Sequence, residues 1–153
     1  MAKAEEIAKI RKDLIEVEDL VYQMMFFAHQ ANDAQYTKVI VTNLSKKILD
    51  FLRIEHSDIE HLFLHEHEGH NYSAHTAKDK SDSLHSTLDK ENDQLKTLVG
   101  EIPLSCSAFV ECKMTCEEFI SVVEDKCSQI LRLVGSENHE LEFARQFITA
   151  LSK

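Results

Sequence analysis

Residues 7–28 read IAKIRKDLIEVEDLVYQMMFFA. Ile7, Ile10, Leu14, Val17, Val21, Met24 and Ala28 recur three and four residues apart, a spacing that lines one face of an α-helix. Most residues between them are charged or polar. The segment therefore predicts one long amphipathic helix, from about Ala4 to His29, with a single stripe to bury. Such a stripe needs partners, and the chain on its C-terminal side offers the same pattern.

Asn32 and Asp33 can cap a second helix. That helix is predicted from about Ala34 to about His67, with Ile40, Val41, Leu44, Ile48, Leu52, Ile59, Leu62 and Phe63 as its apolar positions. The turn is expected over 68–73, with Gly69 suited to a C-terminal cap. A third, more polar helix is expected from about His75 to Val99, with the thin stripe Ala77, Leu84, Leu88, Leu95 and Leu98. Gly100 is expected to end it, and Pro103 with Ser105 to start a fourth that runs to Val134. Thr115-Cys-Glu-Glu118 has the capping-box pattern and offers a competing start. Gly135-Ser136 is expected to end the fourth helix, leaving a short fifth over 137–152 with Leu141, Ala144, Phe147, Ile148 and Leu151. The fold class expected is all-α: an antiparallel up-and-down four-helix bundle with an extra short C-terminal helix, residues 1–153 forming one domain. Three glycines and one proline in 153 residues agree, because sheet folds need many tight turns.

The formal net charge is −10, which repels phosphate backbones and anionic lipid. Nucleic acid and membrane surfaces are thus expected not to be partners, whereas cations and basic protein surfaces suit the chain. The N-terminal MAKAEEIAKIRKD has no apolar stretch of signal-peptide length, and the longest aliphatic-aromatic run, Met24–Ala28, is too short to span a bilayer. A cytoplasmic location with reduced thiols is expected on these grounds. Cys112, Cys116 and Cys127 fall on one stripe with Phe109, Phe119, Val123 and Ile130, which predicts core packing for them. The sequence contains no nucleophile elbow, phosphate-binding glycine loop or dinucleotide fingerprint.

Seven of the nine histidines fall between His56 and His85, so the clustering is far from an even spread. Four pairs there are spaced i,i+4: His56/Glu60, His61/His65, His75/Asp79 and His85/Asp89. Residues four apart sit one above the other on a helix, so each pair can present two ligand atoms to one metal ion. In a helical hairpin, residues equally far from the turn face each other. A turn centred between His67 and Glu68 puts His56 level with Asp79 and Glu60 level with His75. A centre nearer His70 sets His65 against His75 and His61 against Asp79. The first-choice ligands are His56, Glu60, His75 and Asp79, with His61 and His65 second, and the expected ion is iron or zinc.

His56-Ser-Asp-Ile-Glu60-His-Leu-Phe63 resembles the H-x-x-x-E segment of the hemerythrin-like (HHE) cation-binding family, with His75 following at about the family's distance. That resemblance implies a four-helix bundle with a carboxylate-bridged di-iron site, Glu60 as the bridge and His56 and His75 as ligands. Asp79 stands where the family has a second histidine, and 11–13 stand level with His56 on the first helix, where the family has another. Two readings follow. One is a metal-binding bundle used for sensing or storage. The other is a non-catalytic acidic adaptor, chaperone or effector that acts through a protein partner.

Overall fold

The computed structural model describes residues 2–30, 33–64 and 75–151, with side chains described over 4–30, 33–63, 82–143 and at Arg145. It is all-α. Four helices follow in order: α1 (Ala2–His29), α2 (Ala34–Leu64), α3 (His75–Val110) and α4 (Cys116–Leu151). Each packs on the next, and α4 closes the ring against α1. All seven positions of the α1 stripe are buried. Val41, Leu44, Ile48, Leu52, Ile59, Leu62 and Phe63 of α2 are buried with them, while Ile40 packs at the edge.

Side-chain pairs fix the register at the seams. On α1 and α2, Lys9 Nζ meets Asp58 Oδ1 at 3.2 Å, and His61 Nε2 meets Glu6 Oε1 at 3.0 Å. On α1 and α4, Arg11 reaches Asn138 Oδ1 at 2.7 Å and Glu142 Oε2 at 2.6 Å, and His29 pairs with Glu124. On α3 and α4, Lys126 pairs with Glu101, and the rings of Phe109 and Phe119 stack with centroids 4.7 Å apart. Asp33 caps α2 as expected, its Oδ1 accepting from the amides of Gln35 and Tyr36.

Two expected breaks do not occur. α3 runs through Gly100 and Pro103, and α4 runs through Gly135-Ser136, so the expected short fifth helix is the second half of α4. Burial explains both. Leu95, Val99, Ile102 and Cys106 form one buried stripe past Gly100, which faces solvent. Burying such a side chain is worth about 1.5–3 kcal/mol, and several together outweigh the roughly 4 kcal/mol that one glycine and one proline cost a helix interior. Ile130, Val134 and Leu141 likewise carry α4 past Gly135 and Ser136.

The real break lies at the competing start. Lys113 N donates to Ala108 O and Cys112 N to Phe109 O, the paired bonds of a Schellman cap. Across the turn, Thr115 and Glu118 form a reciprocal capping box: the Glu118 amide donates to Thr115 Oγ1 at 3.1 Å, and the Thr115 amide to Glu118 Oε1 at 3.0 Å. Those bonds also hold the Glu118 carboxyl below the usual carboxylate range. Cys112 is therefore not a core residue. It is exposed, in the left-handed region at φ 60°, the position where helices prefer glycine. Cys116 is half-buried, and Cys106 and Cys127 are buried, with thiols pushed up by burial to about 11 and about 12. Replacing Cys112→Gly is expected to stabilise the protein by about 1 kcal/mol, read as a higher denaturant midpoint with an unchanged slope. A lower midpoint would show that the cap does not hold this geometry in solution.

Candidate metal centre

His56 and Glu60 lie one turn apart on α2, and His85 and Asp89 one turn apart on α3. The α2–α3 seam sets them face to face. His56 Nδ1 lies 3.1 Å from Asp89 Oδ1, and Glu60 Oε1 lies 2.8 Å from His85 Nε2. The second contact is a hydrogen bond. The first has no hydrogen-bonding geometry: both atoms are shielded from solvent, and neither has a hydrogen-bond partner among the described residues. Among those residues, only His56, Glu60 and Asp89 bring three ligand atoms within 4.8 Å of one another. The His85 ring is fixed by stacking on Phe63, with centroids 4.7 Å apart and planes 10° from parallel. It therefore fixes the Glu60 carboxylate through that hydrogen bond.

His56 and Glu60 thus stand together as expected, but the residues opposite are Asp89 and His85. The pairing is therefore shifted along α3 by ten residues from the first expected register and by five from the second. Asp79 lies ten residues before Asp89 on the same continuous helix, about 15 Å along its axis at 1.5 Å per residue. His75 begins α3, and the side chains of His75 and Asp79 lie outside the described residues. His65 lies outside them too. His61 sits on another seam, exposed and paired with Glu6 of α1.

A second polar group lies inside the bundle, at the same level. The buried stripes each skip one position: between Leu52 and Ile59, between Leu88 and Leu95, and between Val134 and Leu141. Glu55, Glu91 with Asn92, and Glu137 fill those gaps and are buried. Asn92 Nδ2 donates to Glu55 Oε1 at 2.7 Å and to Leu52 O at 3.1 Å. The Glu137 carboxyl lies against Glu55, and Glu140 against Glu91. Neither oxygen of Glu137 has a hydrogen-bond partner among the described residues, nor do Glu55 Oε2, Glu91 Oε1, Glu140 Oε2 and Asn92 Oδ1.

Burial dominates the electrostatics. It pushes Glu137 up to about 12, reinforced by the Glu55 contact and by the charges of Glu55, Glu91 and Glu140. Glu140 is pushed to about 8 by burial and by Glu91. Glu55 is raised by burial, against the hydrogen bonds from Glu137 and Asn92. At the edge of this layer Asp13 is pushed to about 6 by burial and by Asp58, with Lys9 and Lys12 opposing. Proton sharing reconciles the unsatisfied oxygens with the close carboxyl pairs, since two ionised carboxylates only accept hydrogen bonds. A proton on Glu137 gives that group a bond to donate to Glu55.

No helix among the described residues is long and apolar enough to cross a membrane. Comparison of the chain with family models, with curated proteins and with solved structures found no match.

Proposed function

We propose that this chain is an antiparallel up-and-down four-helix bundle that binds a divalent transition metal, zinc or iron, at the α2–α3 seam. His56, Glu60 and Asp89 are the ligands, with His85 orienting Glu60. The observation that carries the reading is the approach of His56 Nδ1 and Asp89 Oδ1 to 3.1 Å without hydrogen-bonding geometry, Glu60 being close to both. With its proton on Nε2, a neutral imidazole would meet the carboxylate there as acceptor against acceptor, and a cation between them removes that conflict. Mixed nitrogen and oxygen donors suit zinc and ferrous iron. The antiparallel arrangement is supported by seams on which residue numbers rise along one helix as they fall along its neighbour, such as 6/61 with 9/58 and 56/89 with 60/85. A cytoplasmic sensing or storage role belongs to this proposal, as does kinship with the hemerythrin-like family through His56 and Glu60.

The test is elemental analysis of untagged protein never exposed to nickel resin, followed by titration with zinc and with ferrous iron. About one equivalent is expected at this seam. Asp89→Ala and Glu60→Ala are each expected to weaken binding at least tenfold, and His61→Ala to leave it unchanged. At a hundredfold excess over Kd, the metal should stabilise the fold by about 2.7 kcal/mol. Equal binding by the parent and Asp89→Ala proteins would refute the reading. The adaptor reading keeps one observation of its own: Ile15, Tyr22 and Phe26 of α1 are more than half exposed on the outside of the bundle.

A further inference from the structure

We propose that the groove between α3 and α4 binds a small amphipathic monoanion, a carboxylate carried on an apolar body, with Arg132 holding the carboxylate. A cavity of about 560 Å³ lies there. That is the size of a small-molecule site, for which about 300–1,000 Å³ is usual. It shares no residue with the seam between α2 and α3. Leu98 and Leu133, half-buried and packed against the core, give it an apolar floor. Lys90, Asp93 and Arg132 are exposed around that floor.

A lone surface lysine signifies little, but Arg132 is a different case. The chain has four arginines and a net charge of −10, so acids are plentiful. Arg11, Arg53 and Arg145 each pair with a carboxylate. Arg132, beside the cavity, has no carboxylate or hydrogen-bond partner among the described residues, and neither has Lys90. Asp93 follows Lys90 by one turn, yet no ion pair joins them. Two cations against one acid leave the lining a single positive charge, which matches a monoanion and not a phosphate dianion. Both helices run unbroken past the cavity, so their amides are engaged and only side chains can meet an anion. The guanidinium fork offers a carboxylate two parallel bonds, which a lysine cannot. The Lys126–Glu101 pair and the approach of Glu140 to Glu91 set the register and bring Arg132 level with about residue 97, next to Leu98. Lys90 is then about two turns away, roughly 10 Å along α3, and acts on the anion only at long range. With its head on Arg132, a ligand covers Leu98 and Leu133 with its apolar part.

The probe is 2-naphthoate, titrated into metal-free protein carrying labelled leucine methyl groups and followed by nuclear magnetic resonance. The Leu98 and Leu133 methyl signals are expected to shift and to saturate with a Kd of about 1 mM or tighter. Arg132→Gln is expected to weaken binding about fivefold or more, Lys90→Gln about twofold, and Asp93→Asn to tighten it about twofold. All three side chains are exposed, and circular dichroism verifies that each variant is folded. The neutral 2-naphthalenemethanol, with the same apolar body, is expected to bind the parent about fivefold more weakly than the acid. Equal binding of 2-naphthoate by the parent and Arg132→Gln would overturn the proposal, as would equal binding of the neutral alcohol, since the groove would then take any apolar ring. No shift of the two leucines up to about 10 mM would overturn it as well. Failure of zinc at the α2–α3 seam leaves this result untouched, because the two tests use different ligands and different variants.

Discussion

Metal-free protein is expected to lose stability as pH rises from about 5 to about 8, and Glu137→Gln to remove a substantial part of that loss. The direction follows from proton counting. Burial raises Glu137 from 4.5 to about 12, so across this range the folded state keeps a proton that the unfolded state has released. Stability then falls with pH, by about 1.4 kcal/mol per unit for each proton retained. The contribution is fully present below the unfolded value and is lost progressively toward the folded one. Glu140, raised to about 8, pushes the same way over most of the range, and Asp13, raised to about 6, over its lower end. For Glu137 alone the change is about 2–4 kcal/mol, the upper figure applying if no water relieves the burial. The glutamine amide carries no charge and can donate to Glu55, as the protonated acid does. At pH 8 the variant should therefore have the higher denaturant midpoint, with the two proteins converging toward pH 5. A parent protein whose stability climbs from pH 5 to pH 8, with the variant following in parallel, would contradict the buried layer itself.

Much of the helix layout was legible because burial and periodicity agree. The α1 stripe from Ile7 to Ala28 is buried position for position. The chain breaks were harder to read. Gly100 and Pro103 carry strong stop signals, but those are local costs, while the stripe from Leu95 to Cys106 is a summed gain that only the packed partner reveals. The capping box at Thr115 to Glu118 was the better guide to the break, since it satisfies amides that any helix start leaves open. The Cys112 position was misread for the same reason: a stripe drawn through the true turn assigns a core face to a residue that lies beyond the helix end.

The seam was half legible. The spacing of His56 to Glu60 and of His85 to Asp89 is plain in the sequence, but the register depends on where the hairpin turns. A shift of ten residues along α3 replaces Asp79 by Asp89 opposite His56. The interior layer had a signal that apolar stripes conceal. A seven-residue step from Leu52 to Ile59, from Leu88 to Leu95 and from Val134 to Leu141 leaves one inward position vacant each time. Glu55, Glu91 with Asn92, and Glu137 occupy those positions. Reading the gaps rather than the stripes, and noting that they fall on one level, locates the layer.

Asn92→Ala is expected to cost about 3–5 kcal/mol at neutral pH, among the largest losses for any polar residue in the chain. Asn92 is 0 % exposed and holds α3 to α2 with two bonds from one nitrogen, to Glu55 Oε1 and to Leu52 O. The bond to Glu55 is the larger share. Truncation leaves a buried carboxyl oxygen short of a donor, and such orphaned groups cost about 1–3 kcal/mol, more when charged. The released volume adds a cavity penalty beside Leu52, Leu88 and Leu95 that the packed neighbours relieve only in part. The pH dependence separates these contributions. Asn92→Asp fills nearly the same space, so it removes the donor without the cavity. At pH 8 it should be at least as damaging as alanine, because it brings one more carboxyl against Glu55. Near pH 5 it should recover toward the parent, since a protonated aspartate can donate where the amide did, while alanine keeps its cavity loss at both values. Denaturant midpoints of the two variants at both pH values decide the matter. A loss under about 1 kcal/mol for Asn92→Ala, or no recovery of Asn92→Asp at the lower pH, would mean that Glu55 does not depend on this contact.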